Sequence, residues 1–248
     1  PIYLSSVRRI DQVAPISGQR ICAMTFDNGP NAAYPNPLTQ NKGVTEIILD
    51  TMKKYKARGT FDVIGTTKEN YPDKPGKDGS FSWSGVEFDH YPDFKKDELA
   101  GVVNQPELVQ RMIDEGHELA NHGYTHLLFG KMHYIYHRRR HFKNIDQVVE
   151  DLKKLDDHLV NQHNYKMKLA RPPHYVDKIP DGFTSYDAYR EMNYQYLAAS
   201  FNGGGWMKTS GNYEKDVRNM VEPMKLALMD DPNSLNGQII FQKDGCNM

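Results

Sequence analysis

The feature of this sequence that most constrains its fold is the alternation of short apolar runs with segments of helical period. The runs Arg20 to Asp27 and Gly59 to Gly65 are rich in strand-forming residues, and apolar side chains recur at helical spacing between them, from Val44 to Lys56. Further predicted helices cover 105–115, 144–159, 186–192 and 213–229, the last interrupted or kinked at Pro223, and further predicted strands cover 117–122, a short run ending at Arg171, 196–201 and 237–244. This rhythm predicts an α/β protein with a parallel sheet or barrel, whose chemistry lies at the carboxyl ends of the strands.

Length and composition indicate one large domain. The chain has 248 residues, of which 38% are hydrophobic and 25% are charged, and we expect a single domain over 1–248. A segment from about 66 to 103 breaks the alternation, because it is rich in Pro, Gly, Asp and aromatic residues without a sustained period. We interpret it as a long surface insertion or lid.

The charge balance and the apolar runs exclude several classes. The formal net charge is -1 and the pI is about 6.9, which argues against a nucleic-acid partner, although a local basic cluster stands at 137–141. No run approaches the roughly 18 apolar residues of a membrane helix, and 1–19 does not resemble a signal peptide. The two cysteines suggest neither a metal site nor a disulfide framework. The sequence leaves compartment and oligomeric state open.

Polar side chains follow three of the predicted strands. Asp27 and Asn28 follow the first in "TFDNGP", His122 and His126 stand four residues apart in "HGYTH", and Arg171 opens "RPPHY". Two histidines at this spacing can bind one divalent ion through neutral imidazole nitrogens. Taken alone, this pair is equally consistent with two ordinary core or surface histidines that bind no metal.

In their order along the chain, these motifs resemble those of the polysaccharide deacetylases with a NodB-homology domain, carbohydrate esterase family 4. That family has T-F-D-D-G-P, H-(S/T)-x-x-H, R-x-P-(Y/F), an Asp-Trp pair and a closing strand near L-x-H. The matching segments here start at Thr25, His122 and Arg171, followed by "GGGW" ending at Trp206 and "IIFQKD" from Ile239. The resemblance spans roughly 19–244.

The resemblance implies a fold and a reaction. It implies a distorted (β/α) barrel with fewer than eight regular strands. It also implies metal-dependent removal of N-acetyl groups from N-acetylhexosamine residues of a peptidoglycan- or chitin-like polysaccharide, in the cell envelope or outside the cell. The family's metal is divalent, with zinc favoured and cobalt, nickel or manganese as alternatives.

The resemblance also implies roles for particular residues. Asp27 matches the catalytic base, Arg171 matches the arginine that orients it, and the main-chain N–H near His174 matches the oxyanion donor. His122, His126 and Asn28 match the three metal ligands. The substrate-binding positions are Pro173, Tyr175, Trp206 and Phe241.

Two departures from the family pattern bear on activity. Asn28 replaces the usual ligand Asp and brings no charge, so we expect weakened metal affinity. Lys243 stands where the family has its acid histidine, and Gly205 stands where the Asp that holds this histidine should be. Lys243 or His174 are then rival candidates for the proton donor. Asp62 is predicted to line the pocket or to pair with a lysine, without a catalytic role.

Two other functions remain open at this point. One is a catalytically impaired relative that binds glycans through an inherited groove. The other is a hydrolase of the same fold that cleaves a different non-peptide C–N bond.

Overall fold

The computed structural model describes residues 6–32, 42–69, 96–132, 140–204 and 212–244. Its eight strands are β1 (Arg9–Ile10), β2 (Ala23–Asp27), β3 (Thr60–Val63), β4 (Glu118–Asn121), β5 (Leu169–Ala170), β6 (Gln195–Leu197), β7 (Phe201–Asn202) and β8 (Ile239–Lys243). Its helices are α1 (Val44–Lys54), α2 (Lys96–Leu99), α3 (Pro106–Asp114), α4 (Ile145–His163), α5 (Ser185–Met192) and α6 (Tyr213–Asp230).

The eight strands form one parallel sheet with the order β1-β6-β5-β4-β3-β2-β8-β7. From β2 to β5, strands that follow one another in the chain are also neighbours in the sheet, with α1, α3 and α4 in the connections. Parallel strands need such crossover connections, and the sequence supplies them as amphipathic helices. The carboxyl ends of all eight strands consequently lie at one edge.

The sheet curls into a half-barrel, and the link between β6 and β7 shows how strongly. These two strands lie near opposite ends of the sheet order, yet only three residues, 198–200, separate them in the chain. Three residues span only about 10–14 Å even when fully extended. The two ends of the sheet must therefore approach each other, which gives the distorted (β/α) barrel that the family resemblance implies. The resemblance implied fewer than eight regular strands, whereas the sheet has eight, of which β1, β5 and β7 have only two residues each.

Two groups of buried apolar side chains stabilise this arrangement. The larger cluster includes Phe61, Leu119 and Leu152, which belong to two strands and α4. A smaller cluster joins Ala120, Leu197 and Ile239, which come from β4, β6 and β8. These three strands are not neighbours in the sheet, so their contact is a consequence of the curl.

Helix α4 shows how local sequence fixes an element. The Asn144 side chain accepts a hydrogen bond from the Gln147 main-chain N–H at 3.0 Å and so caps the amino end of the helix. Asn164 adopts a left-handed conformation at the other end, as C-terminal caps often do. Between these caps the buried side chains include Val148, Leu152 and Leu155, which place the helix against the sheet.

The structure differs from the sequence-based assignment in three elements. The segment 196–201 is not one strand, because it divides between β6 and β7, and the short elements β1 and α2 were not predicted. Helix α6 continues through Pro223 as a single helix, so the helix is not interrupted there. Within the predicted insertion at 66–103, the described end packs into the body through the buried Val102, whereas 70–95 lies outside the described residues.

No helix in the described ranges combines the length and the apolar composition that a bilayer crossing requires. The basic cluster at 137–141 lies mostly outside the described residues.

Candidate active site

The carboxyl ends of the strands enclose a cavity of about 540 Å³, a size typical of small-ligand pockets. Its lining brings together residues from the predicted motifs and from segments that no motif marks: Arg9, Asp27, Asn28, His122, His126, Met132, His174, Tyr175, Ala199, Ser200, Phe201, Asn202, Phe241 and Lys243. The convergence that the sequence predicts is therefore present in the structure.

Arg171 lies beneath the pocket and joins strands from both sides of the half-barrel. The residue is fully buried, and its Nη1 atom donates to Asp27 Oδ1 at 2.5 Å and to Asp62 Oδ2 at 3.0 Å. Its Nε and Nη2 atoms donate to the main-chain oxygens of Leu197 and Ala198 at 3.1 and 3.3 Å. Burial opposes the charge, but the two carboxyl groups outweigh it and raise the pKa of Arg171. The guanidinium therefore stays charged and fixes the orientation of Asp27.

Asp27 presents its second carboxylate oxygen to His122. Asp27 Oδ2 lies 3.5 Å from His122 Nε2, and both side chains are buried. His122 Nδ1 lies 2.7 Å from the main-chain oxygen of Arg171, which can only accept, so Nδ1 carries the proton. Burial lowers the pKa of His122, which favours the neutral ring. The Nε2 lone pair therefore points toward the pocket, as a metal ligand requires.

His126 lies beside His122 because the loop between them is held in place. The two ring centroids are 4.9 Å apart. Asp151 on α4 accepts hydrogen bonds from Thr125 Oγ1 at 2.8 Å and from the Thr125 main-chain N–H at 3.2 Å. The sequence analysis did not identify Asp151, because an acidic residue on an amphipathic helix looks like part of the solvated face.

Asn28 occupies a turn that few residue types tolerate. Its φ is 78°, a left-handed conformation in which Asn is among the favoured non-glycine residues. The turn continues through a cis peptide bond between Gly29 and Pro30. A Cβ atom at Gly29 would overlap the carboxyl group of Asp244, which follows β8, so glycine is required for this close approach. The turn thereby directs residue 28 to the same pocket as the two histidines.

The donor set fits a divalent ion, with an amide as its weakest member. The neutral tautomer of His122, the adjacent ring of His126 and the amide oxygen of Asn28 are all metal-compatible donors in one cavity. Among the residues that the structure describes, no group of three or more His, Cys, Asp or Glu side chains forms a metal site.

Both candidate proton donors line the cavity. Lys243 is the register partner of Asp27 across the β2–β8 pair, so the two residues lie side by side at the strand ends. His174 adopts a left-handed conformation with a φ of 54°, and its ring centroid is 5.4 Å from that of His126. The structure thus brings both residues to the site and leaves the choice between them open.

The remaining substrate-binding positions differ in how far the structure describes them. Tyr175 and Phe241 form one aromatic wall, with ring centroids 6.4 Å apart, and Pro173 is buried at the start of the adjoining short turn Pro173–Tyr175. Gly205 and Trp206 lie outside the described residues.

Asp62 forms an ion pair, as one of the two predictions had it, but with a different partner. It pairs with Arg171 rather than with a lysine, and it lies behind the pocket rather than among its lining residues. Burial raises the pKa of Asp62 well above its usual value, and the negative charge of Asp27 adds to this effect. Its Oδ1 atom is buried without a partner among the described residues. Asp62 and Asp27 thus share one guanidinium, that of Arg171.

A buried carboxyl group at the end of β8 was also missed. Asp244 accepts a hydrogen bond from Thr45 Oγ1 at 2.8 Å, and burial raises its pKa to about 8 despite that bond. Lys243, the residue before it, was predicted as a candidate proton donor because it stands where the family has its acid histidine. Nothing in the sequence predicted that Asp244 is buried.

Comparison with known proteins identifies the family of this chain. Residues 16–197 match the family model for polysaccharide deacetylases. A peptidoglycan-N-acetylmuramic acid deacetylase from Bacillus subtilis is 26% identical over 156 residues, which cover 63% of this chain and 22% of that protein. The chain thus spans about a fifth of the length of that relative.

Two solved structures share the fold. The chitin deacetylase from Colletotrichum lindemuthianum superposes with a TM-score of 0.60 and 16% identity over 98% of this chain and 80% of that one. A pseudoenzyme of the CE4 family from Bacillus anthracis gives a TM-score of 0.55 and 14% identity over 97% and 59% of the two chains. With the match over 16–197 and the assembled strand-end pocket, the chain belongs to the polysaccharide deacetylase family.

Proposed function

We propose that this chain is a metal-dependent hydrolase that removes acetyl groups from N-acetylhexosamine residues of a peptidoglycan- or chitin-like polysaccharide. The observation that carries the proposal is the meeting of Asp27, His122 and His126 in one cavity, with Arg171 holding the acid. The relatives named above act on peptidoglycan and chitin, which supports this substrate class and a cell-envelope or extracellular setting.

The chemistry needs three kinds of assistance, since an amide is a poor electrophile with a poor leaving group. We assign the ion to His122, His126 and Asn28, and zinc is the favoured metal. A bound divalent ion would polarise the acetamide carbonyl and increase the acidity of the attacking water. The other steps belong to side chains of this chain.

Asp27 is the proposed general base. Its Oδ1 is held by Arg171 and its Oδ2 faces His122, so the carboxylate is oriented toward the pocket before substrate arrives. It takes a proton from water while the water oxygen bonds to the acetamide carbon. The developing negative charge on the carbonyl oxygen is placed near the turn at 173–175. We assign the main-chain N–H near His174 as the oxyanion donor, because this position matches that donor in the family.

The reaction ends with proton transfer to the sugar nitrogen. Lys243 or His174 donates that proton, the C–N bond breaks, and acetate and a free amine are the products. Lys243 is the cross-strand neighbour of Asp27, and His174 is the neighbour of His126, so the two candidates border different sides of the proposed base and ligands.

A second candidate function is a glycan-binding relative that has lost turnover. The observation that favours it is Asn28, whose neutral amide leaves a divalent ion with no anionic ligand from its three assigned residues. The same fold occurs in the pseudoenzyme named above, so the fold does not decide between catalysis and binding.

Acetate release tests the proposal. The purified chain is incubated with chitotetraose and with peptidoglycan fragments, as isolated, after EDTA treatment, and after addition of zinc. We expect acetate that EDTA abolishes and zinc restores, and no acetate from Asp27→Asn under any condition. Saturable sugar binding without acetate, in both this chain and Asn28→Asp with zinc present, would establish the glycan-binding alternative instead.

If neither polymer is bound but small amides or cyclic ureides are cleaved, the fold serves a different C–N bond. This outcome would support the third function that the sequence leaves open, a hydrolase of a different non-peptide C–N bond.

A further inference from the structure

The pocket carries a local excess of positive charge. Among the lining residues that the structure describes, Asp27 is the one carboxylate, and Arg171 already pairs with it at 2.5 Å. Arg9 and Lys243 line the same cavity as cationic groups. Because the whole chain has a formal net charge of -1, this excess is not a general property of the protein surface.

Arg9 is held at the cavity by the fold. It lies in β1 as the register partner of Tyr196, and its Cζ atom is 4.7 Å from the centroid of the Tyr196 ring. The Tyr196 ring in turn stacks on Tyr186 with centroids 5.0 Å apart. Tyr186 and Tyr196 also form side-chain hydrogen bonds with Arg9, and these leave other N–H groups of its five for an anion. A guanidinium resting on an aromatic face loses little further freedom on binding one. Arg9 is thus preorganised.

Arg9 has no anionic partner within the described ranges, since no carboxylate there lies within 4.0 Å of its guanidinium. It also stands before residue 16, where the match to the family model begins. The residue is therefore outside the catalytic motifs.

We propose that the pocket takes an anionic glycan, in which a carboxylate stands close to the N-acetyl group and pairs with Arg9. A guanidinium and a carboxylate form two parallel charge-assisted hydrogen bonds, which a neutral sugar cannot offer. Arg9 is then a specificity-determining residue that contacts the substrate, with no part in the proton transfers. This inference rests on the proposed function for the identity of the sugar, while the charge preference itself is measured without turnover.

The alternative is that Arg9 only anchors β1 on the tyrosine stack. An anchor would affect stability and would leave the preference among substrates unchanged. The comparison must therefore vary the charge of the ligand at constant size.

Equilibrium binding to the EDTA-treated full chain makes this comparison. The ligands are an oligosaccharide containing N-acetylmuramic acid, the same oligosaccharide with its lactyl carboxyl group amidated, and chitotetraose. An oligosaccharide of alternating uronic acid and N-acetylglucosamine distinguishes a carboxylate on the neighbouring sugar from one on the acetylated sugar. We expect the free carboxylate to bind about tenfold or more tightly than its amide, with an affinity that falls as salt increases.

Variants at Arg9 identify the residue responsible. Arg9→Gln should remove most of the preference, Arg9→Lys should retain part of it, and the control Arg8→Gln should retain all of it. Equal affinity of this chain for the acid and its amide would overturn the proposal, as would an unchanged preference in Arg9→Gln. If Arg9→Gln does not fold, Arg9→Lys and the salt dependence decide.

Failure of the proposed function has a different signature. A chain that prefers the carboxylate yet releases no acetate would retain this inference and lose the hydrolase assignment. Acetate release at equal rates from the acid and its amide would support the hydrolase assignment and contradict the preference for a carboxylate.

Discussion

His122 directs its Nδ1 atom at the main-chain oxygen of Arg171, with 2.7 Å between the two atoms. Arg171 in turn donates through its side chain to Asp27, whose other oxygen faces His122 Nε2 at 3.5 Å. One residue therefore fixes the proposed base by its side chain and the tautomer of a proposed ligand by its backbone. These contacts connect the carboxyl ends of β2, β4 and β5.

Replacing Arg171 by Met should destabilise the protein by about 3–5 kcal/mol, because Asp27 and Asp62 would remain buried without their shared cation. The free energy of unfolding from urea titration measures the effect. Arg190→Met is the control, since that arginine pairs with Asp187 at 3.6 Å on the surface and should cost at most about 1 kcal/mol. Similar losses in the two variants would show that Arg171 does not hold the site together.

Asn28→Asp should strengthen metal binding by about tenfold or more, because it places an anionic oxygen beside the two histidines. Zinc affinity from competition with a chromogenic chelator measures the change. Asn202→Asp adds the same charge elsewhere in the cavity and serves as the control. An equal gain in both variants would attribute the effect to the general field of the pocket and not to ligation by residue 28.

Asp62→Asn should lower kcat by no more than about threefold. Burial raises the pKa of Asp62 and so favours its neutral form, and a neutral amide of the same shape still offers an acceptor to Arg171. Asp62→Ala should lower kcat by about tenfold or more with little change in KM, because Arg171 loses an acceptor that orients it. The two variants are compared by acetate release. Equal activity of Asp62→Ala and the unaltered chain would remove Asp62 from the set of positioning residues.

The stability of the folded state should depend on pH through Asp151. Burial raises its pKa to about 6 from 3.8, against the hydrogen bonds from Thr125. The folded protein therefore keeps a proton that the unfolded chain releases between about pH 4 and 6. Relative to Asp151→Asn, the unaltered protein should lose up to about 3 kcal/mol of unfolding free energy as pH rises through that window, and no more above it.

Urea titrations with EDTA present, at pH values from 4 to 7.5, give this difference directly. Glu150→Gln is the control, because Glu150 is exposed on the same helix. A difference between the unaltered protein and Asp151→Asn that stays constant over the window would contradict the raised pKa.

Much of the fold was predictable because its signals are local. The helical period of 144–159 identifies α4, and the β-rich runs ending at Asp27 and His122 identify β2 and β4. The run 196–201 was assigned wrongly as one strand. The apolar pattern of this run is compatible with one strand or with two. Only the closure of the half-barrel places β6 and β7 near opposite ends of the sheet order.

The candidate site was likewise predictable only where its residues belong to local motifs. Asp27, His122, His126 and Arg171 stand in motifs with fixed spacing, so the sequence identified them. Arg9, Asp151 and Asp244 stand in no such pattern, although the first lines the pocket and the other two are buried behind it.

The sequence by itself determined most of the strands and helices, the polar residues that end the strands of the motifs, and the family to which the chain belongs. Only the tertiary structure decided that Arg9 meets the cavity, that Asp62 pairs with Arg171, and that Asp151 holds the histidine loop. The reason is physical. Periodicity and turn chemistry act between residues close in the chain, whereas burial, charge pairing and the resulting pKa shifts arise between residues that only the curled sheet brings together.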